Sequence, residues 1–157
     1  MICLYAASTL YHYATDIKLK SKLRIFDHVS IFYLIAGSYA PICLITLYSG
    51  NGVKVFIAVL AIALTGTVFK IFFTGKFDKL SLALYLAMGW LVVLDFNRVF
   101  NSLELNGLLL LILSGLLYSF GTIFYSLEKM KYSHAIWHLF VLGGSISHYF
   151  LVLFYII

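Results

Sequence analysis

Five long apolar runs, separated by short polar or basic linkers, dominate this chain. They cover 26–48, 53–73, 80–96, 103–127 and 134–157. The runs are apolar on all sides rather than alternating, which predicts buried or lipid-facing helices and excludes the dyad pattern of a membrane β-barrel. A bilayer crossing takes about 20 helical residues, and these runs meet that length. A sixth run, 2–14, is too short to cross alone, since thirteen helical residues reach only about 20 Å. It has no basic flank or cleavage site of a signal peptide. It reads as the second half of a spanning helix, which makes Met1 an expected truncated or misassigned start.

Composition agrees with this pattern. Of 157 residues, 63% are hydrophobic and 11% are charged. A soluble domain carries more than twice that share of charge, about 25%. The linkers SGNG, TGKFDK, FNRVFNS and SLEKMKYS are short, so the expected architecture is an all-α integral membrane bundle forming one transmembrane domain over 1–157. Pro41 is expected to kink the first full span. The glycines at 37, 66, 89, 115, 121, 143 and 144 are expected to let helices approach closely.

The net charge of +5 raises nucleic acid as a partner, and the placement of the charge removes it. Lys18, Lys20, Lys22 and Arg24 lie in the first linker, Lys70, Lys76 and Lys79 flank the third, and Lys129 and Lys131 lie in the fifth. Only Lys54 and Arg98 fall on the other side. Basic residues mark the cytoplasmic side, so the odd linkers are expected inside and the C-terminus outside. The expected partners are membrane lipids, and the oligomeric state is open. Cys3 and Cys43 sit within apolar runs and read as small hydrophobes, not as a disulfide framework.

The polar residues inside the apolar runs carry the candidate chemistry. His134 and His138 are four apart, which puts both imidazoles on one helix face. Ser8 and His12 repeat the spacing near the end of the first run, and Asp27 with His28 opens the next. On the expected topology all three clusters lie within about two helical turns of one membrane face. Zinc commonly takes three imidazoles and keeps a fourth position for water. His12, His134 and His138 can supply the nitrogens, Ser8 can hydrogen-bond the water or a carbonyl, and Asp27 can act as general base or orient a ligand ring.

Duller roles compete for each residue. Asp27 can cap its helix, Ser8 can bond back to a carbonyl, His28 can be an interfacial polar group, and Asp95 can be solvated at its helix end. His148 lies ten residues past His138, about 15 Å deeper, too far to share the ion. HAIWH is not the zincin motif, because Ala135 stands where that motif has its glutamate.

At these residues the chain resembles the hemolysin III family, relatives of the adiponectin and progestin receptors. The matching segments are ASTLYH at 7–12, FDH at 26–28, IAGSYAP at 35–41, LYLAMGWL at 84–91 and YSHAIWHLFVLGGSISHYF at 132–150. The resemblance implies a seven-helix membrane protein with an external C-terminus, here without the first helix and half of the second. It implies zinc on His12, His134 and His138, with Ser8 and Asp27 at the serine and aspartate positions. It also implies a bacterial plasma-membrane location and a metal-dependent hydrolase of lipid amides or esters. The competing readings are a pore-forming haemolysin and a receptor or scaffold with structural zinc. Pores built from helices show a polar stripe along a span, and the middle runs here have none.

Overall fold

The computed structural model describes residues 2–127 and 129–157; Met1, with the start expected there, and Glu128 lie outside the described residues. All regular structure among the described residues is helical. The helices are α1 (Ile2–Tyr13), α2 (Ile17–Pro41), α3 (Gly52–Phe73), α4 (Asp78–Gly89), α5 (Phe96–Ser102), α6 (Leu105–Ser126) and α7 (Ser133–Tyr155). Among the described residues, five stretches are long and apolar enough to cross a membrane: Ile17–Thr46, Gly52–Phe73, Asp78–Ser102, Leu105–Ser126 and Ser133–Tyr155. Their outward side chains are large and apolar, such as Ile57, Leu64, Leu139 and Phe154. Serines and Lys70 are instead buried inside. Such a surface suits hydrocarbon, not water.

Two helices depart from the apolar runs. The second helix begins nine residues before position 26, at Ile17, where the Asp16 side chain accepts the Leu19 N–H at 2.8 Å. Lysine and arginine are good helix formers, so the basic stretch 18–24 continues the helix instead of forming a linker. Asp27 therefore stands in the third turn and does not cap the helix; Asp16 does. After Pro41 the backbone widens into a π-helical turn, Ile42–Thr46, rather than a simple kink.

The run 80–96 is likewise not one helix. It breaks at Trp90, passes through a 3₁₀ turn, Leu91–Asp95, and resumes as α5, which absorbs the expected linker FNRVFNS. The break leaves backbone groups without helical partners. Tyr39 of α2 repairs it: its hydroxyl donates to the Gly89 carbonyl at 2.8 Å and accepts from the Val92 N–H at 2.9 Å. Asp95 is not a freely solvated end group. It accepts from the Asn51 N–H at 3.3 Å and faces Arg98 at 4.0 Å.

Packing tests the glycines one by one. A Cβ on Gly66 would run into the Phe32 ring, which is fully buried at the α2–α3 contact. A Cβ on Gly144 would lie 2.9 Å from Tyr118, and one on Gly121 would lie 2.9 Å from Phe140. These last two seat α6 against α7, the most extensive helix pair. A Cβ on Gly37, Gly89 or Gly115 would meet nothing within 4 Å, so these three are not needed for close helix packing, contrary to expectation. Gly143 makes only ordinary contact, with Leu117 at 3.4 Å.

The bundle has two polar ends. One holds the C-terminus of α1, the N-termini of α2 and α7, and the turn between α3 and α4. The other holds Asn51, Asp95 and Arg98. At the first end Lys70, fully buried, contacts Asp78 at 2.9 Å, and Arg24 approaches the same carboxylate at 3.7 Å. Gly75, at φ +79°, turns the chain back so that Asp78 reaches Lys70.

Candidate metal centre

Three helices deliver the polar cluster at the first end. The last turn of α1 carries His12, and Ser8 lies one turn earlier on the same face. Tyr132, in a left-handed conformation at φ 65°, leads the chain into α7. His134 and His138 then fall in the first two turns of that helix. Asp27 comes from the third turn of α2 and is buried.

The imidazoles converge on one type of atom. His12 Nε2 lies 3.2 Å from His134 Nε2, and His134 Nε2 lies 3.1 Å from His138 Nε2. Ser8 Oγ sits 3.1 Å from His138 Nε2. The Asp27 carboxylate faces the Ser8 hydroxyl and the His12 ring. His12 is exposed, while His134 and His138 are half-buried.

Hydrogen bonding alone serves this cluster poorly. An imidazole nitrogen has one in-plane position, either an N–H or a lone pair. His134 Nε2 meets two other ring nitrogens at once, so it cannot satisfy both with a linear bond. Nitrogens around a tetrahedral zinc at about 2.05 Å stand about 3.3 Å from each other. Both observed approaches are close to that edge length. Among the described residues, however, no set of three or more His, Cys, Asp or Glu is gathered into a ready-made cage. What the rings form is a chain of two short approaches, with His134 in the middle.

Residues outside the predicted ligand set surround the cluster. Tyr5 stands three before Ser8 on α1; its hydroxyl donates to the His138 carbonyl at 3.3 Å and its ring lies 5.5 Å from the His138 ring. The face 5, 8, 12 is a helical one and the spacing could have exposed it. Trp137 packs 4.4 Å from the His138 ring and 5.1 Å from that of His134. His28 is buried rather than interfacial, and its carbonyl accepts from Tyr85 Oη at 2.9 Å. No spacing signal marks Tyr85, because it lies on α4.

Beneath the cluster runs an apolar cavity of about 210 Å³. Leu4 and Trp137 line it near the histidines; Val99 and His148 line it towards the other end of the bundle. His148 joins no metal cluster. Its ring engages the Ser38 backbone, and its Nε2 is buried without a partner.

Comparison with known proteins identifies the family. The model of the family described as "Haemolysin-III related" matches residues 1–149. The chain belongs to that family. The Hemolysin-3 homolog of Bacillus subtilis (strain 168) is 48% identical over 155 residues, covering 99% of this chain and 73% of that protein. Hemolysin-3 of Bacillus cereus is 43% identical over 157 residues, covering 100% of this chain and 72% of its own length. The human Monocyte to macrophage differentiation factor is 29% identical over 162 residues, covering 97% of this chain and 65% of that protein. No solved structure matches significantly. As a haemolysin-III family member, this is an integral membrane protein, in keeping with its five spans.

Proposed function

We propose that this haemolysin-III family member is an integral-membrane, zinc-dependent hydrolase of a lipid amide or ester. The observation that carries the proposal is the meeting of His12, His134 and His138 through their Nε2 atoms, 3.2 and 3.1 Å apart. These three residues would hold the ion. A zinc there supplies Lewis acidity and an acidified water near neutral pH.

The chain's own residues do the rest. Asp27, buried beside Ser8 and His12, takes the proton of the attacking water and returns it to the amine or alcohol that leaves as the C–N or C–O bond breaks. Ser8 holds the carbonyl oxygen or the attacking water by hydrogen bond. The cavity under Trp137 takes the acyl chain and keeps water from it. Tyr5 and Trp137 fix the His138 ring.

The excess of lysine and arginine at the histidine end supports a cytoplasmic position for the site and an external C-terminus, in a bacterial plasma membrane. Metal analysis of the purified protein, beside hydrolysis of lipid amides and esters by wild type and Asp27→Asn, tests the proposal. Stoichiometric zinc with turnover that falls in the variant supports it; metal-free protein overturns it.

The relatives named Hemolysin-3 keep a pore-forming reading in view. Among the described residues, the outward faces of the spans are apolar and the internal cavity is almost wholly so, an arrangement without the polar stripe of a helical pore. Dye release from liposomes that is insensitive to the histidines would favour the pore.

A further inference from the structure

An open cleft of about 400 Å³ lies at the basic end, outside the histidine cluster, where the end of α1, the start of α2 and the end of α3 meet. Lys20, Ser21 and Arg24 of α2 line one side; Ile71 and Phe72 of α3 line the other. Lys20 and Arg24 are four apart and share a helix face. Both are half-buried, whereas Lys18 and Lys22, on the opposite face, are exposed. The sequence thus aims two of its four basic residues here into the cleft and two away from it.

Among the described residues, the charge in the cleft is not neutralised. Asp78 is the carboxylate at hand, and buried Lys70 already holds it at 2.9 Å. Arg24 approaches it only at 3.7 Å and keeps much of its guanidinium accessible. The Lys20 ammonium sits 5.7 Å over the Tyr11 ring, a weak contact that leaves its donors free. An arginine fork beside a lysine and a hydroxyl suits a phosphate, the fork giving paired bonds and the ammonium a point charge.

The apolar wall says what kind of phosphate. Ile71 is 53% exposed and Phe72 is 73% exposed, directly beside the cations and at the end of a spanning helix. A soluble anion gains nothing from them, but an amphiphile does. We propose that this cleft is a specific site for an anionic glycerophospholipid, its phosphate on Arg24 and Lys20 and its first chain segments on Ile71 and Phe72. Basic pockets between helices at a membrane surface recognise anionic head groups in this way. The site is independent of the metal centre and of any hydrolysis.

The test uses the intact protein in an uncharged detergent. Bound lipid is counted by native mass spectrometry with phosphatidylglycerol or phosphatidylcholine of the same chains. One phosphatidylglycerol is expected to bind in preference. Lys20→Gln with Arg24→Gln is expected to weaken it about thirty-fold, and Lys18→Gln with Lys22→Gln, the same charge loss on the other face, about threefold or less. Equal losses in the two double variants mean diffuse attraction and overturn the site. Displacement by inorganic phosphate at concentrations like that of the lipid assigns the cleft to a soluble anion and overturns the lipid. Should the cleft variant not fold, a photoreactive phosphatidylglycerol on wild type decides: crosslinks within 17–25 and 70–76 support the site, and crosslinks elsewhere overturn it.

Discussion

Nε2 of His12 lies 3.2 Å from Nε2 of His134, although 122 positions separate the two residues along the chain. The contact ties the C-terminus of α1 to the N-terminus of α7. Replacing either ring by alanine removes one of the three donors proposed for zinc. His134→Ala, the middle of the chain of nitrogens, is expected to purify with well under one zinc per protein by elemental mass spectrometry. A His12/His134/His138 triple alanine variant that retains full zinc refutes the metal assignment.

Asp27→Asn separates an open catalytic site from a structural one. The amide keeps the shape and loses the proposed base. Turnover on a lipid amide or ester is expected to fall about 10²- to 10⁴-fold, with zinc content and thermal midpoint near wild type. A variant that instead loses stability along with its metal points to a structural ion.

Lys70 and Asp78 form a pair whose removal is asymmetric. Lys70 is fully buried, so Asp78→Asn leaves its charge uncompensated. That variant is expected to lose about 3–5 kcal/mol in detergent unfolding. Lys70→Met costs less, because Arg24 still faces the carboxylate. Combining Lys70→Met with Asp78→Asn is expected to recover most of the loss, and a double-mutant cycle in which the two changes add simply contradicts the pairing.

Gly66 and Gly37 offer opposite outcomes for the same substitution. A Cβ at Gly66 strikes the buried Phe32 ring, itself held edge-on at 4.5 Å by Tyr85. Gly66→Ala is expected to lower stability by about 1–3 kcal/mol. Nothing lies within 4 Å of a Cβ at Gly37, so Gly37→Ala is expected to be neutral or to gain up to about 1 kcal/mol in helix propensity. Thermal midpoints of the two variants, measured side by side, check the pair.

The spans were legible as long apolar runs, and the histidine pair by its local spacing. His134 and His138 share a face by spacing alone, and the apolar runs gave the helix order that brings His12 to them. What lies in the other coordinate, who faces whom, was not legible. Lysines 18, 20 and 22 look like a linker because charge reads as water, yet long cationic side chains extend a helix out of the bilayer. That extension removed Asp27 from its supposed cap. Lys70 reads as a topology charge, and only the turn at Gly75 reveals the partner that lets it be buried. Seven glycines look alike in sequence, but only some of them meet a ring across a helix contact.

The stitch made by Tyr39 has a consequence for how the third span lives in oil. Hydrocarbon offers no substitute for water to the freed Gly89 carbonyl and Val92 amide, so one phenol on a different helix serves both. The broken span is therefore not self-sufficient. Its bend depends on α2 being alongside.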